Sequence, residues 1–184
     1  GEDFPGKDLG FLRRAGVDLE GVVVRPGRRS MRWTGRYSED LSTRETVRVD
    51  LDVFEGLVLE VPAPWRDSRL VLLANGSPRD QLRVLDALRD GAFAVADTMN
   101  LWIGTERPSL EVLASRVTGI ILNDEEALQW TEKTSVPAAA REILARGPAF
   151  VVVKRGAHGA VVATPEGFAP VPACPVEEGV DPPG

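Results

Sequence analysis

From about residue 69 onward, short apolar runs alternate with stretches of helical spacing. Leu70-Val71-Leu72-Leu73 reads as a buried strand, as do residues 92–96, 117–122 and 150–153. Between them, Leu82, Leu85 and Leu88 recur every third residue, and Leu110 and Leu113 repeat that spacing. Helices are also predicted over 124–131 and 137–146. Near-continuous apolar strands separated by helices predict a predominantly parallel sheet covered on both faces. Ser77 and Pro78 stand where an N-cap and a first helical residue are expected. Glycines 156 and 159 predict a turn between a strand at 150–154 and another at 160–163. Five prolines after residue 169 predict an irregular edge strand and loop.

The first third has a different texture. A short helix is predicted over 7–15, ended by Gly16 in a left-handed cap. Val22-Val23-Val24 predicts a strand, and Pro26-Gly27 a turn. Residues 30–37 alternate, with Ser30, Arg32, Thr34 and Arg36 on one face and Met31, Trp33 and Tyr37 on the other. Residues 46–51 alternate too, Thr46, Arg48 and Asp50 opposing Val47, Val49 and Leu51. This is a small antiparallel β-element with one polar, partly cationic face. The expected fold class is α/β, with a core from 1–16 and 62–184 and a β-lid from 17–61.

Composition narrows the function. The 184 residues are 43% hydrophobic and 27% charged, with a formal net charge of -6. Phosphate backbones and anionic membranes demand clustered cations, so no nucleic-acid or membrane partner is expected. No apolar run approaches the roughly 18 residues of a membrane span. The single cysteine, Cys174, forms no internal disulfide and fits a cytoplasmic location. With one histidine, His158, a zinc site is not expected, and that residue reads as an exposed turn residue. The opening Gly1-Glu2-Asp3-Phe4 has neither initiator Met nor signal-peptide pattern, so a fragment or processed product is expected.

Ligands of parallel sheets gather at the carboxyl ends of the strands. There the sequence places Asn75, Asp97, Asn100, Asn123 and Lys154. Asn123-Asp124-Glu125-Glu126 has two readings. It is a capping box, Asn123 and Glu126 satisfying each other's amides. It is also a carboxylate that could reach Mg²⁺ through water. Asp97 likewise reads as a turn residue or a cleft residue.

Four segments in order resemble the PfkB (ribokinase-like) carbohydrate kinase family. They are Gly1-x-Asp3-x-x-Gly6 leading to Gly16-Val17-Asp18, Asp97-x-x-Asn100, Asn123-x-x-Glu126, and the block from Phe150 through Lys154, Gly156 and Gly159 to Ala160. Residues Gly179 to Gly184 resemble the opening of the family's D-x-T-G-A-G-D signature, with Pro183 in place of Thr. The resemblance implies transfer of the γ-phosphoryl of ATP to a hydroxyl of a sugar or nucleoside. It implies Mg²⁺ organised by Asn123 and Glu126, and nucleotide contacts from Lys154, Gly156, Gly159, Asp181 and Gly184. Acceptor contacts are implied for Asp97 and Asn100, and the alternation makes Ser30, Arg32, Thr34 and Arg36 lid candidates facing the acceptor. The general base is expected just after Gly184, so these 184 residues alone are expected to be inactive. Lids of this family also pair between subunits, which implies a possible homodimer. The alternative reading is a non-catalytic binding or regulatory protein on the same fold. A dehydrogenase ranks lower, because no G-x-G-x-x-G follows the first strand of a βαβ unit.

Overall fold

The computed structural model describes residues 1–37 and 44–174; the side chains of Tyr37 and Arg44 are also outside that description. The chain divides into two compact units, Gly1–Pro62 and Ala63–Gly184.

In the first unit, α1 (Gly6–Arg14) ends in the expected left-handed glycine. Gly16 has φ +82°, and the amides of Gly16 and Val17 return to the carbonyls of Arg13 and Leu12. This double closure is the Schellman arrangement. Strands β1 (Arg32–Tyr37) and β2 (Arg44–Asp50) pair antiparallel. A bulge between the Thr34–Arg48 and Gly35–Thr46 pairs breaks the alternation expected in β2. Thr46 is thereby turned to the Trp33 side, where its Oγ1 accepts from Trp33 Nε1 at 3.2 Å. The strand expected at Val22–Val24 does not form, and Val23 is exposed. A β-branched run favours extended backbone, but a strand needs a partner. The turn at Pro26-Gly27 is present.

Residues 1–16 fall in the first unit, where Glu2 and Asp3 bond to residues 27–32. Glu2 N donates to Arg28 O at 2.9 Å, and the Glu2 carboxylate accepts from Gly27 N at 2.7 Å. Asp3 accepts from Ser30 N at 2.5 Å and from Arg32 at 2.9 Å. The Ser30 amide, with Arg32 beside it, holds the Asp3 carboxyl at about 2, below the usual carboxylate range. A depressed carboxyl stabilises above its unfolded pKa, and that contribution is lost as pH falls through the folded value. We therefore expect the 1–3 segment to release from 27–32 between about pH 4 and pH 2. A side-chain carboxyl NMR titration of Asp3 with a midpoint near 2 checks this. A midpoint near 4 contradicts it.

The second unit carries a six-stranded sheet in the order β3-β4-β5-β6-β7-β8. The strands are β3 (Leu70–Leu73), β4 (Phe93–Asp97), β5 (Gly119–Asn123), β6 (Phe150–Lys154), β7 (Ala160–Thr164) and β8 (Gly167–Val171). The first four are parallel, and β7 and β8 are antiparallel. The α/β fold class expected from the pattern is therefore observed. Pro170 lies in β8, an edge strand, where a missing N–H is tolerated. Between the parallel strands run α2 (Pro78–Ala87), α3 (Asn100–Thr105), α4 (Arg107–Ala114), α5 (Asp124–Thr131) and α6 (Val136–Leu144).

Because β3 to β6 follow sequence order, right-handed crossovers put all these helices on one face. That face holds the core: Leu73, Ala94, Ala96, Ile120, Leu122, Val151 and Val153 pack beneath Leu110, Leu113, Trp130 and Ile143. On the opposite face Leu70 is 78% exposed and Leu72 68%. The rings of Phe93 and Phe150 stack there, 5.9 Å between centroids.

One helix end is strained. Glu132, the residue closing α5, has φ +57°, where L side chains crowd the backbone. Its carboxylate pairs with Arg107 at 3.0 Å, an exposed contact of small worth. Glu132→Gly should raise stability by roughly 0.5 kcal/mol, read as a higher urea midpoint.

Candidate functional site

The carboxyl ends of the parallel strands collect most of the predicted residues. Asn123 and Lys154 close β5 and β6 and are register partners. Asp97 closes β4, paired with Ile121, two residues before Asn123. By strand alternation all three project to the helix-free face, continuing the line of Phe93, Gly119 and Phe150. Each side chain is half-buried. An apolar sheet face thus ends in a polar row at the ligand end of the sheet.

Local hydrogen bonds show what holds each group. Glu126 N donates to Asn123 Oδ1 at 2.7 Å, and Asn123 N donates to Glu126 Oε2 at 2.8 Å. The predicted capping box is present, and Glu126 is 4% exposed. Asp97 Oδ1 accepts from Thr98 N at 2.8 Å, a turn contact. Asn100 is the first residue of α3 and donates to Gln129 Oε1 at 2.8 Å. Gln81, buried in α2, donates to the carbonyls of Leu73, Ala74 and Asp97, each at 3.0 Å. It ties together the loops that follow β3 and β4. Ser77 sits at the N-cap of α2 without capping it. Its hydroxyl donates instead to Glu106 Oε2 at 2.8 Å, and Glu106 also accepts from Arg79 N.

The remaining predicted residues divide. Gly156 (φ +51°) opens the 156–158 turn after Lys154, and His158 is exposed. Gly159 has φ +80°, and a Cβ there would stand 2.0 Å from Val171 O. The close approach at Gly159 is therefore to the chain's own backbone. Arg32 and Arg36 belong to the first unit, paired with Asp3 at 2.9 Å and Glu45 at 3.6 Å. Met31 is 43% exposed, while the side chain of Tyr37 lies outside the described residues. Asp181 and Gly184 also lie outside them, as does the Pro183 position.

The donor set decides how a metal or nucleotide would be held. Among the described residues no group of three His, Cys, Asp or Glu could hold a metal ion. Asn123 and Glu126 already serve the box, so they fit a water-mediated contact to Mg²⁺ rather than a protein cage. Lys154, the register partner of Asn123, places a cation beside the box. No helix among these residues is long and apolar enough to cross a membrane.

The second unit is thus a mainly parallel α/β sheet with a polar row at its strand ends, and the first carries a small antiparallel β-pair. The model of the pfkB family carbohydrate kinases matches residues 14–184, and the chain belongs to that family. It is 30% identical over 188 residues to a cytidine kinase of Thermococcus kodakarensis, covering 100% of this chain and 66% of that protein. Two solved structures share the fold. One is a nucleoside kinase of Burkholderia thailandensis in complex with inosine, with TM-score 0.69 and 20% identity, covering 96% of this chain and 57% of that one. The other, assigned as a ribokinase II from E. coli and bound to ATP and Mg²⁺, has TM-score 0.72 and 19% identity, covering 94% of this chain and 59% of that one. The chain thus spans about two thirds of the length of the curated relative.

Proposed function

We propose that the protein containing this chain transfers the γ-phosphoryl of ATP to a hydroxyl of a nucleoside or sugar. The supporting observation is the adjacency of the Asn123–Glu126 box and Lys154 at the strand ends, in a chain that belongs to this family. Phosphoryl transfer is carried by positioning and charge neutralisation, which a lysine and a box facing one cleft would supply. ATP supplies the phosphoryl group and Mg²⁺ shields its charge. Lys154 would draw in the phosphates, and Asn123 with Glu126 would orient the metal's water shell. Asp97 and Asn100 would line the acceptor side, and residues 17–61, with Arg32 and Arg36, would act as a lid that excludes water. Gly156, Asp181 and Gly184 would border the nucleotide. Pairing of such lids in a homodimer, and a cytoplasmic location, belong to the same reading. Cytidine is the first acceptor to test, given the similarity to a cytidine kinase.

Steady-state ADP release by the full-length protein tests the assignment of Lys154. Lys154→Ala should raise KM for ATP about 10- to 150-fold, since a hydrogen bond to a charged group is worth about 1.5–3 kcal/mol. An unchanged KM for ATP contradicts a phosphate contact by this lysine.

A further inference from the structure

The loops that follow β3 and β4 are fastened to each other by side chains. Asn75 accepts from Trp102 Nε1 at 3.0 Å and donates to Met99 Sδ at 3.1 Å. The Ser77 hydroxyl donates to Glu106 Oε2 at 2.8 Å. A further tie is buried. Gln81 sets its Nε2 3.0 Å from the carbonyls of Leu73, Ala74 and Asp97 alike. A carboxamide carries two N–H groups, so the three carbonyls share them. The amide cannot turn over, because its oxygen would then face three carbonyl oxygens. Gln81 Oε1 is thereby left buried with no partner among the described residues. Thr98 Oγ1, in the residue after Asp97, is the other buried side-chain atom of this unit without one among them. Buried polar groups almost always find a partner, and an unpaired one calls for a reason. A methionine at position 81 would fill a similar volume and leave no oxygen unpaired. What it would lack is the donor that fixes where β3 and β4 end.

We propose that Gln81 is a positioning residue for the phosphoryl acceptor, which from α2 sets the separation of the β3 and β4 ends. The inference rests on the kinase reading above, in which Asp97 lines the acceptor side. Gln81 touches no substrate. It holds the Asp97 carbonyl, and so the backbone from which the Asp97 side chain and the Thr98 turn project. The ends of β5 and β6 are held otherwise, by the Asn123–Glu126 box and the register pair of Asn123 with Lys154. Loss of the Gln81 N–H groups would let the β3 and β4 loops shift while the phosphate side stays in place. A misplacement of about 1 Å can cost about 100-fold in rate.

The test uses the full-length protein with ATP, Mg²⁺ and cytidine, or the nucleoside or sugar that it phosphorylates. Gln81→Met should lower kcat/KM for the acceptor about 10- to 100-fold and leave KM for ATP within about twofold of wild type. Gln81→Glu adds a pH readout. Its carboxyl faces three carbonyls, which favour the protonated form and raise the pKa. The protonated form donates one hydrogen bond, and the ionised form donates none. Acceptor kcat/KM, relative to wild type at the same pH, should therefore be highest at low pH and fall as pH rises through that raised pKa. A merely structural role would lower the unfolding midpoint and leave these ratios unmoved in the folded variants. Wild-type acceptor kcat/KM in folded Gln81→Met overturns the proposal while phosphoryl transfer stands, and so does an equal rise in KM for ATP. Should Gln81→Met not fold, a pH-independent ratio for Gln81→Glu overturns it. A wild-type protein that makes no phosphorylated product overturns the kinase reading, and the inference falls with it.

Discussion

Trp130→Ala is expected to destabilise the α/β unit by about 3–5 kcal/mol, the range for removing a large buried aromatic. Trp130 is fully buried. Its indole N–H donates to Glu111 Oε1 at 2.8 Å. Arg146 bonds the other oxygen of that carboxylate at 2.6 Å and lies 5.2 Å over the indole ring. Arg107 donates to the Trp130 carbonyl from the start of α4. One side chain thus joins α4, α5 and the end of α6. Its loss opens a cavity and leaves the Glu111 carboxylate without its indole donor. Trp130→Phe fills most of the space and loses only the N–H, so a smaller loss of about 1–2 kcal/mol is expected. Urea unfolding followed by circular dichroism measures both. A loss below about 1 kcal/mol for the alanine variant contradicts this account of the core.

Glu126→Gln separates the two readings of the Asn123–Glu126 segment. Glutamine can close a capping box as glutamate does, so stability should change by less than about 0.5 kcal/mol. The carboxylate charge is gone, and groups that orient a metal's surroundings are typically worth about 10–100-fold in activity. We expect kcat of the full-length protein to fall by about that factor, partly restored by raising Mg²⁺. Asn123→Ala should instead cost roughly 1 kcal/mol of stability, because it removes the cap itself. Full activity in Glu126→Gln would leave the segment with its capping role alone.

Where local chemistry and periodicity agreed, the sequence was legible. The run at residues 70–73 is β3, and the box that opens at Asn123 starts α5 at Asp124. The glycine turn after Lys154 joins β6 to β7 as expected. What escaped reading depends on distant partners. The six residues of α3 are too few to show a helical period, and Met99 gives no side-chain cap. The bulge opposite Thr34 is a matter of pairing, so it was invisible in the strict alternation of residues 46–51. At Gly159 a Cβ would meet the Val171 carbonyl twelve residues on, a closeness that only pairing of β7 with β8 creates. Ser77 had the right residue type for a cap, but Glu106, between α3 and α4, takes that work.

The candidate site shows the same division. Asn100, Asn123 and Lys154 were found because strand ends can be counted from apolar runs. Gln129, which holds Asn100, Trp102, which holds Asn75, and Gln81, which holds the Asp97 carbonyl, were missed because each lies on a helix and meets its partner only across the fold. The spacing of Gln129 from Glu126 was the one available signal. The strand order, which apolar runs do not encode, was also out of reach of the sequence.

The central claim is phosphoryl transfer to a nucleoside or sugar hydroxyl. Its most direct test is mass spectrometry of products after the full-length protein meets ATP and Mg²⁺ with cytidine, other nucleosides and common sugars. The account predicts at least one acceptor carrying a single added phosphoryl group, formed with equivalent ADP and absent without Mg²⁺. Unmodified acceptors throughout the panel, from a folded protein, would contradict it.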